Sequence, residues 1–180
     1  MTIEEARAIL NMGYDHLFRV EDVAEAVGLA PTSIRNWINR GHVELIHSAL
    51  FGKGSRAYFA YYDVILILIV AELSHLGIKP QSVRHVLVQI NALVGNKIRE
   101  AAGEWGDPEQ HPNYRDFQRY AVLYFSREGG QDGIEIYSPA DPREISKPTP
   151  ESPDVTRIVI DCLALAEKAM HLFSILPRAK

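Results

Sequence analysis

The stretch FRVEDVAEAVGLAPTSIRNWINRGHV, residues 18–43, decides the fold. It divides into two short helical segments around a tight turn. In the first, residues 21–27, Val23, Ala24 and Val27 share one side. Gly28 follows where a helix C-terminus favours a residue that tolerates positive φ. Leu29 and Ala30 make the turn. Pro31 suits the first position of a second helix, where its missing N–H leaves no bond unmade. Ile34, Trp37 and Ile38 form an apolar i, i+3, i+4 face, and Gly41 ends the segment. Two helices on such a turn are a helix-turn-helix. The outward side of the second carries Thr32, Ser33, Arg35, Asn36, Asn39 and Arg40. Hydroxyls, amides and guanidinium groups are the chemistry that reads base edges and holds phosphates.

Working outward, residues 2–10 read as a helix, with Thr2 and Glu5 at capping-box spacing. It is expected to pack beside the helix-turn-helix. Residues 11–16, with Gly13, are a break. After Gly41, residues 43–46 and 56–61 read as two strands around the tip Gly52-Lys53-Gly54-Ser55, a hairpin or wing. Its tip offers Lys53, Ser55 and Arg56 to a phosphate backbone. Asp63 is expected to cap a helix that is buried on nearly all sides and runs to Gly77.

This order of elements, from about residue 18 to residue 87, resembles the DNA-binding domain of the MerR family of transcriptional regulators. Family members read Leu-Arg-aromatic-aromatic in the second helix, and this chain reads Ile34-Arg35-Asn36-Trp37. Their Glu/Asn-x-Gly-hydrophobic is similar to Asn39-Arg40-Gly41-His42-Val43. The wing's Arg-x-aromatic followed by Asp resembles Arg56-Ala57-Tyr58 and Asp63. The joint Leu-Gly-hydrophobic resembles Leu76-Gly77-Ile78, with Val83 five residues on. Ala30 departs from the family's capping Ser, and Asn36 replaces an aromatic. The resemblance implies double-stranded DNA and a second copy of the chain as partners. It also implies an RNA polymerase contact and an effector of unknown identity, with no cofactor. Tyr58 joins the DNA-contacting set on the same ground.

The next helix, residues 81–102 with Pro80 at its first turn, carries Val83, Leu87, Ile90 and Val94 as a two-heptad seam. In proteins resembling this family a long helix here mediates an antiparallel dimer, so these four residues are the expected dimer contact. Gly95 weakens the helix, which leaves two alternatives: one continuous helix or a split at that residue. Residues 104–113, with two prolines, form a linker. Residues 120–126 and 133–138 read as a hairpin, and 139–153 as a proline-rich connector. Residues 154–173 leave two alternatives: a strand then a helix capped by Asp161, or one helix throughout.

The fold class expected is mainly α with small β elements. A winged helix-turn-helix (1–78), a linker helix (79–103) and a small C-terminal α+β unit (104–180) follow in order. The 47% hydrophobic content is that of a globular chain. Its one cysteine, Cys162, excludes an internal disulfide framework and points to a buried small residue. Seven scattered histidines make no metal-ligand spacing. No signal peptide or membrane span is visible, so a cytoplasmic, soluble protein is expected. The net charge of −4 is unusual for a DNA binder, but residues 30–60 carry four cations against one acid. No nucleophile or phosphate-loop motif is present, and no enzyme is expected. The function expected is a dimeric, sequence-specific regulator of transcription. The alternatives are a phage-type excisionase-like or small-terminase-like protein, and an interaction module without DNA binding.

Overall fold

A computed structural model describes residues 2–11, 18–45, 58–104, 120–126, 133–137 and 155–177. The elements in order are α1 (Ile3–Leu10), β1 (Phe18–Arg19), α2 (Val20–Ala26), α3 (Pro31–Asn39), β2 (Tyr58–Phe59), α4 (Tyr61–His75) and α5 (Pro80–Ala101). Then come β3 (Tyr120–Ser126), β4 (Gly133–Tyr137), β5 (Val155–Asp161) and α6 (Cys162–Ile175). The chain is mainly helical with small antiparallel sheets, as expected.

α4 lies at the centre. Residues 64–71 are all buried, and eight successive residues cover every face of a helix with 3.6 residues per turn. A helix apolar all round needs neighbours on every side. α5 and α6 supply two of them. The helix starts at Tyr61, two residues before its expected cap. Asp63 therefore stands at the third helical position rather than at the cap. From there its Oδ2 accepts the Ala60 N–H at 3.3 Å.

α5 runs unbroken through Gly95. The ring of Tyr62 passes that position, with its Cε1 3.5 Å from where a Cβ would stand. Tyr62 also ties the two helices by polar contacts. Its carbonyl accepts from Asn91 Nδ2 at 3.3 Å, and its hydroxyl accepts from Arg99 Nη2 at 2.8 Å. The stripe Val83, Leu87, Ile90 and Val94 faces inward, each residue at most 2% exposed. That corrects its expected role: the chain's own helices fill the seam, so these side chains offer no dimer contact.

The N-terminal helix has its capping box. Thr2 N–H donates to Glu5 Oε2 at 2.9 Å, and Glu5 N–H donates to Thr2 Oγ1 at 3.2 Å. The Thr2 contacts hold the Glu5 carboxyl below its ordinary value. α1 packs chiefly on α5 and α6 rather than beside the helix-turn-helix. Arg7 Nε donates to the Ala102 carbonyl at 2.9 Å, closing the end of α5.

Residues 58–59 form a strand, but their partner is β1. Phe18 stands opposite Phe59, and Arg19 opposite Tyr58. The expected partner strand begins at 43, yet residues 43–45 are not strand, and residues 46–57, the wing itself, lie outside the described residues. The expected hairpin of β3 and β4 is present, with Tyr120 opposite Tyr137. Residues 155–175 are a strand and then a helix. β5 completes the order β4-β3-β5, and Asp161 caps α6 by accepting from Leu163 N at 3.0 Å and Ala164 N at 3.2 Å. The linker from 105 and the connector 139–153 lie outside the described residues.

One continuous apolar core runs from Ala6 to Leu176, so packing does not stop at residue 78 or 103. Phe173 of α6 joins its two ends. Its ring centroid is 5.5 Å from Phe18 and 5.0 Å from Tyr61. Phe18 begins the strand that leads directly into α2, so the last helix braces the first strand. Replacing Phe173 with Ala is expected to cost about 3–5 kcal/mol. Urea unfolding followed by circular dichroism measures it.

Candidate nucleic-acid interface

Local bonding defines the helix pair. α2 closes with the Gly28 N–H donating to the Glu25 carbonyl at 3.1 Å and the Leu29 N–H to the Ala24 carbonyl at 2.8 Å. α3 closes alike: Gly41 donates to Ile38 at 2.9 Å and His42 to Trp37 at 2.8 Å. Both are Schellman endings. Gly28 has φ of +71° and Gly41 of +66°, the left-handed conformation this ending requires. The turn is thus set by backbone bonds.

α3 begins with Pro31 at its first turn. Ala30 has the extended backbone of a cap, φ −74° and ψ 137°, but no side-chain acceptor. Ile34 is fully buried, while Trp37 and Ile38 are half-buried against the core. That single apolar side fixes the opposite one. Thr32, Arg35, Asn36, Asn39 and Arg40 are all exposed, at spacings of three, one, three and one. They form one continuous stripe along the helix. Ser33 is half-buried at its flank. An α-helix with its side chains is about 10–12 Å across. The major groove of DNA is about 12 Å wide and admits an α-helix.

Arg35 is paired with Glu21 of α2, Nη2 to Oε1 at 2.5 Å. Both side chains are largely exposed, and such pairs contribute about 0–1 kcal/mol. A phosphate or guanine can therefore take Glu21's place at little cost. Arg40 makes no ion pair among the described residues. Tyr58 is half-buried in β2, beside the exposed Arg19 on β1. Lys53, Ser55 and Arg56 lie outside the described residues.

Two exposed cations escape a reading of the sequence. Arg19 is brought in by the strand pairing with Tyr58. Arg84, on α5, reaches the end of α3, its Nη1 3.9 Å from where a Cβ on Gly41 would stand. It pairs with Glu44, 40 residues away in sequence. No local spacing rule connects those positions. A cation there also suits the negative end of the α3 dipole.

Other chemistry is absent from the described residues. No three His, Cys, Asp or Glu side chains converge on a metal site. Cys162 is fully buried, and burial pushes its thiol up to about 12, so it stays protonated and unreactive near neutral pH. No helix is long and apolar enough to cross a membrane. No family model, no curated protein and no solved structure matches this chain.

The missing cap on α3 is testable. Ala30→Ser is expected to add about 1 kcal/mol of stability, because Ala30 already has cap geometry and Ser supplies the acceptor. The change appears as a raised urea midpoint with an unchanged slope.

Proposed function

We propose that this protein binds double-stranded DNA sequence-specifically and regulates transcription. α3 enters the major groove. The observation that carries this reading is the unbroken polar stripe of Thr32, Arg35, Asn36, Asn39 and Arg40 on a helix anchored through one apolar side. The major groove admits an α-helix, and the residue types of α3 match base and phosphate chemistry.

In this reading Thr32, Ser33 and Asn36 face base edges, and Asn39 extends that row. Asn can hold adenine through two hydrogen bonds. Arg35 and Arg40 take guanine or phosphate. Lys53, Ser55, Arg56 and Tyr58 approach the neighbouring backbone. Arg84, near the end of α3, and Arg19, opposite Tyr58, add two further cations to this set. The acidic remainder of the chain limits non-specific adhesion to nucleic acid. Two copies bind a site of two related halves. An effector and an RNA polymerase contact belong to the same reading through the resemblance to MerR regulators.

Salt dependence tests the reading. If Arg35, Arg40, Lys53 and Arg56 of each of two copies neutralise phosphates, log K falls with log salt at a slope of about −7. Fluorescence anisotropy on a labelled duplex measures it. Arg40→Ala is expected to weaken binding and to make the slope shallower by about 2, one contact per copy. An affinity that does not change with salt contradicts the proposal. So does unaltered binding after Arg35 and Arg40 are both replaced with Ala.

A further inference from the structure

We propose that Glu21 is an internal competitor for DNA. Its carboxylate holds the Arg35 guanidinium until a phosphate or a guanine displaces it, and so limits how tightly α3 binds. This rests on the proposed function and concerns the regulation of that same surface.

Arg35 stands in the middle of α3, in the sequence PTSIRNWIN, and at the centre of the polar stripe. The second cation of the stripe, Arg40, lies at the helix end and pairs with no carboxylate among the described residues. Thr32, Asn36 and Asn39 carry no charge. The masked cation is therefore the central one. Arg35 Nη2 donates to Glu21 Oε1 at 2.5 Å, across the turn between α2 and α3. A carboxylate presents acceptor oxygens to a guanidinium much as a phosphate does, or as guanine does with O6 and N7. Glu21 thus takes up a donor that DNA would use.

The pair is placed to open. The Arg35 side chain is 43% exposed and that of Glu21 55%, so an incoming anion reaches both without repacking the core. Charge pairs this exposed are weakly held and screened by salt. Neither group needs the other to stay folded. α3 is anchored by Ile34 on its opposite side. Glu21 lies in the first turn of α2, where an anion suits the positive end of the helix. Opening the pair therefore costs the fold little, but that cost falls on every binding event. The displaced carboxylate also stays close to a polyanion and repels it.

A carboxylate that positions Arg35 would tighten binding, whereas one that competes weakens it. A positioning group must itself be fixed. The Glu21 side chain is exposed and accepts from no group but Arg35 among the described residues. Competition is the role that fits. Glu25 supplies an internal comparison. It lies four residues on, on the same face of α2, is exposed, and makes no ion pair among the described residues.

Fluorescence anisotropy on a labelled random-sequence duplex at low salt tests this. Glu21→Gln keeps the side-chain shape at an exposed position, so its far-UV spectrum is expected to match that of the native protein. Its binding is expected to be tighter by about twofold to fivefold for each copy bound. In an Arg35→Ala background the same substitution is expected to gain much less, because no guanidinium is left to release. Glu25→Gln is also expected to gain less. Affinity that Glu21→Gln leaves unchanged or weakens overturns the competitor. So does an equal gain in the Arg35→Ala background or from Glu25→Gln, which marks plain repulsion by an acidic surface. A native protein that binds no duplex at low salt, with Glu21→Gln no better, overturns the DNA reading itself.

Discussion

The structure depends on the burial of α4. A helix made of eight successive apolar residues has no side it can leave to water. Each of its larger side chains gains about 1.5–3 kcal/mol when fully enclosed. That demand arranges the remaining elements. α5 returns antiparallel along one side, tied by the Tyr62 carbonyl and hydroxyl. α6 comes back from the far end of the chain to pack on both α4 and α5. The aromatic contact of Phe173 with Phe18 and Tyr61 joins that last helix to the strand preceding the helix-turn-helix. The helix-turn-helix and the C-terminal helix are therefore one packed body.

This frame explains how so small a helix as α3 keeps one orientation. Only Ile34 is fully buried, but the turn before it and the ending after it are held by backbone hydrogen bonds at Gly28 and Gly41. The polar stripe needs no partner inside the protein. Its one ion pair among the described residues, Arg35 with Glu21, is exposed and weak. The α3 surface is thus pre-formed in shape and cheap to rearrange in charge.

Much of this was legible from residue patterns. Capping signals carried the furthest: Thr2 with Glu5, Gly28, Pro31, Gly41 and Asp161 all stand at helix ends, because those bonds are made within a few residues. Period and length identified α4 as a buried helix despite its β-branched residues. One physical cause of error is that pattern shows a face is apolar and not what covers it. Val83, Leu87, Ile90 and Val94 read equally as a seam between chains or as core, and α4 and α6 decide for core. Gly95 reads as a helix breaker until the Tyr62 ring beside it is known. The strand at Phe18 and Arg19 is two residues long, too short for any alternation to show. Arg84 reaches the candidate interface through tertiary packing alone. At the interface itself, the exposed face of α3 was legible because helical spacing separates it from Ile34.

Selection of bound sequences from random double-stranded DNA decides whether the α3 stripe reads bases. Successive rounds are expected to enrich a short motif in two inverted copies, their centres a whole number of helical turns apart. Asn36→Ala should relax the preference at one position in each half while leaving the spacing unchanged. A pool that gains no sequence preference over those rounds would contradict the account, since an exposed polar stripe that reads nothing is only a solvated surface.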